Sequence, residues 1–180
     1  MTDINSMKMR ALWSDLHEKY AVQLKADFSS QSPERWLSHF APHHRIDVSQ
    51  NGRDVTGKSG KGKTMRVYTG GWISSLLTGR IPAKLMAKIL FKRLAKQNYS
   101  HSEVDLHGIQ YHTGTEEQSQ ALVAFKRFNT MGEAYESAAV IYNMIARDGT
   151  WLICGLSTYD GLEQVASLGK SEAFWNPESA

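Results

Sequence analysis

Arg147-Asp148-Gly149-Thr150-Trp151-Leu152-Ile153 is the stretch that decides the fold of this chain. Asp-Gly supplies the two positive backbone angles of a tight hairpin turn, and apolar strand-like residues stand on both sides, Ala139-Val140-Ile141-Tyr142 before it and Trp151-Leu152-Ile153 after it. The same grammar extends upstream. From Ser102 onward helical spacing disappears, and four strand-like runs follow: about Glu103 to His112, Ser119 to Asn129, Glu133 to Arg147 and Thr150 to Tyr159. The links between them leave no room for crossover helices, so the strands form an antiparallel meander, with Met131-Gly132 as a second tight turn.

The amino-terminal half is written differently. From Met7 to Phe28 apolar residues recur at three- and four-residue steps, Met9, Leu12, Trp13, Leu16, Tyr20, Leu24 and Phe28, which predicts a long amphipathic helix. Ser32-Pro33 is an N-cap and first-turn pair, opening a short helix to Phe40 that buries Trp36, Leu37 and Phe40 and ends at Pro42. Arg45 to Ser49 alternates polar and apolar residues and runs into Asn51-Gly52, a half-buried strand entering a hairpin. After Pro82 helical spacing returns, with Leu85, Met86, Ile89, Leu90 and Leu94 on one face and Lys84, Lys88, Lys92 and Lys96 as a stripe. Helices first and a meander last make the fold class α+β. We read residues 1–160 as one domain with an inserted basic helical segment at about 71–100, and 161–180 as a tail to which no function is assigned.

Composition narrows the classes. With 180 residues and 41% hydrophobic content the chain supports one substantial core. Met1 to Met9 lacks the basic start and apolar run of a signal peptide, and no stretch approaches the roughly 20 apolar residues of a membrane span, so a cytoplasmic protein is expected. Cys154, the lone cysteine, has no disulfide partner and reads as an inert thiol in a strand. The net charge of +3 conceals an asymmetry: no acidic residue stands between Asp54 and Glu103, and that interval holds ten Lys and Arg. An anionic membrane surface or acidic partner fits this segment; nucleic acid does not, because interleaved aromatics and a recognised reading module are missing.

Several motifs are weighed against plainer readings. Gly57-Lys58-Ser59-Gly60-Lys61-Gly62-Lys63-Thr64 fits the phosphate-loop pattern letter for letter, yet it lacks the preceding buried strand and a sustained following helix, so it reads as a surface loop. His39 and His43 are separated by Pro42, which spoils a shared helical face. His101, Glu103, Asp105 and His107 share one parity and read as the solvated face of an edge strand. No metal motif is present, and no cofactor is implied. In the third strand Ala138, Val140, Tyr142 and Met144 oppose Tyr135, Ser137, Ala139, Ile141 and Asn143, and both faces are apolar enough to be buried. Arg127, Tyr142 and Asn143, with Trp13 and Trp151, are the candidate ligand-binding residues.

Helix, short helix, strand, insertion and curved meander is an order similar to that of the nuclear transport factor 2-like superfamily, with its SnoaL-like and ketosteroid isomerase-like members. Leu16-His17-Glu18-Lys19-Tyr20-Ala21 resembles the end of that family's first helix, and Trp36-Leu37-Ser38-His39-Phe40-Ala41 its second. Ile46-Asp47-Val48 resembles its first strand, and Asp148-Gly149-Thr150-Trp151-Leu152-Ile153 its last hairpin. The resemblance implies a cone-shaped sheet wrapped around helices, an apolar pocket and a homodimer. It also implies a tyrosine and an aspartate as catalytic groups in isomerase-like members. Tyr20 matches the first, and Asp47 or His44 is the candidate base. By alternation, however, the slot nearest the family's base holds Val48. Two readings follow: a pocket protein that binds, isomerises or dehydrates an apolar carbonyl-bearing molecule, or a non-enzymatic protein docking through Lys84, Lys88, Lys92 and Lys96.

Overall fold

The structure is a computed structural model. It describes residues 3–50, 53–54, 65–71, 74, 77, 80–113 and 116–178, with side chains described for these except 3–6, 47–50, 53–54, 65–66 and 113. The phosphate-loop-like stretch 57–64 and the Asn51-Gly52 turn lie outside the described residues.

The long first helix forms as its periodicity dictates, but it is not α-helical throughout. It runs as α1 (Asp3–His17), a π-helical stretch (Glu18–Leu24) and α2 (Lys25–Ser29). Leu12, Leu16, Tyr20 and Leu24 are its buried residues in the main core. The next helix, α3 (Pro33–Leu37), opens as expected, with the Ser32 hydroxyl accepting from Arg35 N and Pro33 in the first turn.

Among the described residues eight strands follow in one open sheet: β1 (Arg45–Gln50), β2 (Arg53–Asp54), β3 (Met65–Tyr68), β4 (Ile81–Pro82), β5 (Tyr99–Thr113), β6 (Glu117–Asn129), β7 (Ala134–Arg147) and β8 (Thr150–Tyr159). Their order is β4-β3-β1-β8-β7-β6-β5, with β2 paired to β1. β5 to β8 form the antiparallel meander, while β1 joins β8 in parallel. Register shifts in all three meander pairings bend the sheet toward the helices.

Helix α4 (Ala83–Lys96) corrects the expected apolar face. Its buried residues are Ala83, Ala87, Phe91 and Leu94, whereas Leu85 and Ile89 are exposed. The helix packs against α3, where Phe91 meets Trp36, and against Phe28 of α2, and this small aromatic cluster rather than the longest aliphatics fixes its rotation.

The tail folds back onto the sheet. Helix α5 (Leu162–Ser167) lies on the sheet face away from the main core, where Val165 and Tyr159 are buried with Leu122, Ala139 and Ile141. Beyond it, Trp175 exchanges two backbone hydrogen bonds with Ile109, at 2.8 and 2.9 Å, and so pairs with the outer edge of β5. An edge strand's unpaired amides are thereby partly covered. Gly108 permits the crossing, since a Cβ there would stand 2.6 Å from the Phe174 Cβ.

Candidate functional site

The concave face of the sheet, the helices α2 and α3 and the inner side of α4 enclose a cavity of about 510 Å³, within the roughly 300–1,000 Å³ usual for small-molecule sites. Its wall is chiefly apolar. Leu24 and Phe28 come from the first helix, Trp36 and Leu37 from α3, and Met86 and Leu90 from α4. The sheet contributes Ile46 of β1, Val104 of β5, Val123 and Phe125 of β6, and Val140 and Tyr142 of β7. In the third strand of the meander, therefore, the Ala138, Val140, Tyr142 face lines the cavity. The Ala139 and Ile141 face lies under α5.

Two stacked tyrosines form the polar end. Tyr20 is fully buried in the π-helical stretch, its ring 4.8 Å from that of Tyr142. The Tyr20 hydroxyl donates to the Met144 sulfur at 2.8 Å, a weak acceptor that a carbonyl oxygen would outbid. Tyr142 lines the cavity, and its hydroxyl has no hydrogen-bond partner among the described residues. Burial pushes the Tyr142 phenol up to about 12, against a smaller lowering by Arg127. Burial likewise pushes Tyr20 well above its ordinary value, with Tyr142 and Cys154 adding to the rise. Both are protonated donors at neutral pH.

Arg127 is the second polar anchor. Its guanidinium lies over the rings of Phe125 at 4.5 Å and Phe28 at 5.3 Å, and Nη1 donates to Glu136 Oε2 at 2.5 Å. Arg127 Nε and the Tyr135 hydroxyl are sealed from solvent without a partner among the described residues. Arg127 lines the cavity, so its Nε gives the wall unmet hydrogen-bonding capacity, while Tyr135 lies outside the lining. Lys25, exposed Arg93 and exposed Asp160 stand at the mouth. Sequence reasoning did not single out Ser102, whose hydroxyl lines the cavity and is held at 3.0 Å by Tyr99. Its strand parity with Val104 was the available signal.

The remaining expected site residues lie elsewhere. Trp13 packs edge-on against Trp175 of the tail, and Trp151 against Tyr111, so both belong to packing at the far end of the core. Asn143 accepts from Gln120 Nε2 at 2.7 Å and, one residue beyond Tyr142, falls on the sheet's other face. His44 is tied through its backbone, its N–H donating to Thr69 Oγ1 at 2.9 Å, and it does not line the cavity. Asp47 sits on β1 opposite Arg66 and Gly155, alternate to the cavity-lining Ile46. Lys84, Lys88, Lys92 and Lys96 are exposed on α4, away from the cavity.

A second concavity of about 740 Å³ lies on the other face of the sheet, lined by Glu103, Asp105, His107, Lys126 and residues 160–164. Charged side chains alternate there with Ala124, Phe125, Ala138 and Leu162. His101, which shares sequence parity with this set, stacks on Phe128 at 4.8 Å instead. Among the described residues no group of three His, Cys, Asp or Glu is placed to hold a metal ion.

No family model matches the chain. No curated protein matches it either. Solved structures do. It is similar to a domain of unknown function with a cystatin-like fold from Nostoc punctiforme, at 13% identity over 99% of this chain and 91% of that one, with a TM-score of 0.50. A Catenulispora acidiphila protein in complex with S-DNPA matches at 9% identity over 83% and 93%, TM-score 0.52. An NTF-2 like protein of unknown function from Shewanella oneidensis matches at 6% identity over 76% and 90%, TM-score 0.50. At such identities the likeness concerns architecture, and with the helix-lined curved meander described above it establishes that this chain has the nuclear transport factor 2-like fold.

Proposed function

We propose that the protein binds an apolar small molecule bearing a carbonyl or similar acceptor, enclosed between the sheet, α2, α3 and α4. The observation that carries this reading is the Tyr142 hydroxyl, which has no hydrogen-bond partner among the described residues and stands in a chiefly apolar wall. The sealed Arg127 Nε, on the same wall and without a partner among the described residues, adds an unmet donor; such a donor costs on the order of 1–3 kcal/mol, and a ligand acceptor relieves it. Arg127 is neutralised by Glu136, which favours a neutral acceptor over a free carboxylate.

Binding is preferred to catalysis for a geometric reason. Proton abstraction requires a base within reach of the group polarised by Tyr20 or Tyr142. Of the carboxylates lining the cavity, Glu136 is held by Arg127 and Asp160 is exposed at the rim. Support for ligand capture also comes from the Catenulispora acidiphila protein of similar fold, which was solved in complex with S-DNPA.

Titration with an environment-sensitive naphthyl ketone tests the reading. Tyr142→Phe is expected to weaken ketone binding about tenfold while leaving the matching hydrocarbon unaffected, as the loss of one hydrogen bond requires. Ala138→Phe, which fills the cavity from β7, is expected to abolish both. Undiminished ketone binding by the Ala138→Phe protein would sink the proposal.

A further inference from the structure

Helix α4 divides its circumference among core, cavity and solvent. Ala87, Phe91 and Leu94 face the core, and Met86, Leu90 and Arg93 line the cavity. The remaining arc exposes Lys84, Lys88, Lys92 and Lys96, together with Leu85 at 39% and Ile89 at 54% exposure. At about 100° per residue, Leu85 and Ile89 fall between the row of Lys84, Lys88 and Lys92 and the cavity-lining Met86 and Leu90.

Just upstream, Leu77 is 83% and Ile81 37% exposed. Of the eight large hydrophobics exposed among the described residues, four therefore lie between positions 77 and 89. The same region sits within the run from 55 to 102 that contains no Asp or Glu. Lysines four residues apart on a helix repel one another, and aliphatics held in water forgo their transfer free energy. Both penalties disappear against one kind of surface, anionic outside and hydrocarbon beneath. An acidic protein would match the lysines but not the aliphatics set among them.

We propose that α4 docks this protein on an anionic lipid bilayer, with its lysines among the headgroups and Leu85 and Ile89 at the acyl boundary. The docking does not depend on what the cavity holds, since none of the four lysines lines it. It does set orientation: the cavity wall built by Met86 and Leu90 comes to lie beside the lipid surface.

The test is sedimentation of the full chain with vesicles of phosphatidylcholine, with and without phosphatidylserine, across a salt series. Binding is expected only when phosphatidylserine is present, weakening as salt rises. Lys84→Gln, Lys88→Gln and Lys92→Gln together are expected to lower the partition coefficient on the order of a hundredfold. Leu85→Ser with Ile89→Ser is expected to lower it about tenfold while keeping the salt dependence. All five positions are solvent-facing, so circular dichroism should show the fold intact in each variant. Equal binding to neutral vesicles, absence of salt-sensitive binding, or unchanged affinity of the lysine variant overturns the proposal. Binding to soluble polyglutamate without vesicle binding also overturns it, in favour of an acidic protein partner.

Discussion

Asp148 and Gly149 hold φ angles of 51° and 72° between β7 and β8, the paired left-handed conformation that a right-twisted hairpin requires. Gly149→Ala is expected to destabilise the fold by about 1 kcal/mol, read as a shifted urea midpoint at unchanged slope. His39 shows another residue-level constraint. Its Nε2 lies 2.9 Å from Asp27 Oδ2. Burial pushes its pKa below the ordinary 6.5, outweighing the opposing hydrogen bond from Asp27, and nearby Lys19 adds to the lowering. A depressed folded value means the unfolded chain binds the proton more readily, so stability is complete above the unfolded value and lost as pH falls through the window beneath it. His39→Gln, which keeps a donor for Asp27, is expected to flatten that part of the pH profile, measured as urea midpoints of both proteins from neutral to mildly acidic pH. The Asp148-Gly149 turn was legible in the sequence because its chemistry is local, whereas the His39–Asp27 pair was not. Trp13, Trp151 and Asn143 were not, because an aromatic or amide in an apolar run looks alike whether it meets a ligand, Trp175, Tyr111 or Gln120.

Among the elements, the meander was readable to within a few residues because alternation and turn chemistry agree along its length. Helix α4 was found but its rotation was not. Its apolar arc is wider than any one face, and selection among Leu85, Ala87, Ile89 and Phe91 is made by the aromatic surface of Phe28 and Trp36, which sequence spacing cannot weigh. The tail's pairing with β5 escaped for a similar reason, since a one-residue bridge leaves no periodic trace. Gly108 is its hidden requirement. Gly108→Ala is expected to lift Phe174 from the sheet and detach the tail, without unfolding the meander. Limited proteolysis should then cleave beyond Asp160 at low protease while far-ultraviolet circular dichroism stays unchanged. Wild-type resistance in the Gly108→Ala protein would contradict this role.

For the molecule as a whole, the sheet separates two environments: a cavity on the helical side and an outer surface part-covered by the tail. Among the described residues no helix is long and apolar enough to cross a membrane. The homodimer implied by the family resemblance would, if formed across this sheet, meet α5 and Phe174 rather than bare strands. Ending the chain at Asp160 is expected to expose Leu122, Ile141 and Tyr159 and to shift the protein toward self-association, visible by size-exclusion chromatography with light scattering. Sequence could announce two buried faces of β7 but not which enclosed the cavity, because that choice is made by the bends in the sheet and by distant helices.

The π-helical stretch from Glu18 to Leu24 has a consequence for length variation in this chain. Such a turn accommodates a surplus residue, so everything before it is phased by that surplus against everything after it. Removing one residue there would let the segment relax to ordinary helical winding and rotate Leu12, Leu16 and Trp13 away from their partners while Leu24 and Phe28 kept theirs. Indels are thus poorly tolerated in this stretch, which also holds Tyr20 in its stack with Tyr142.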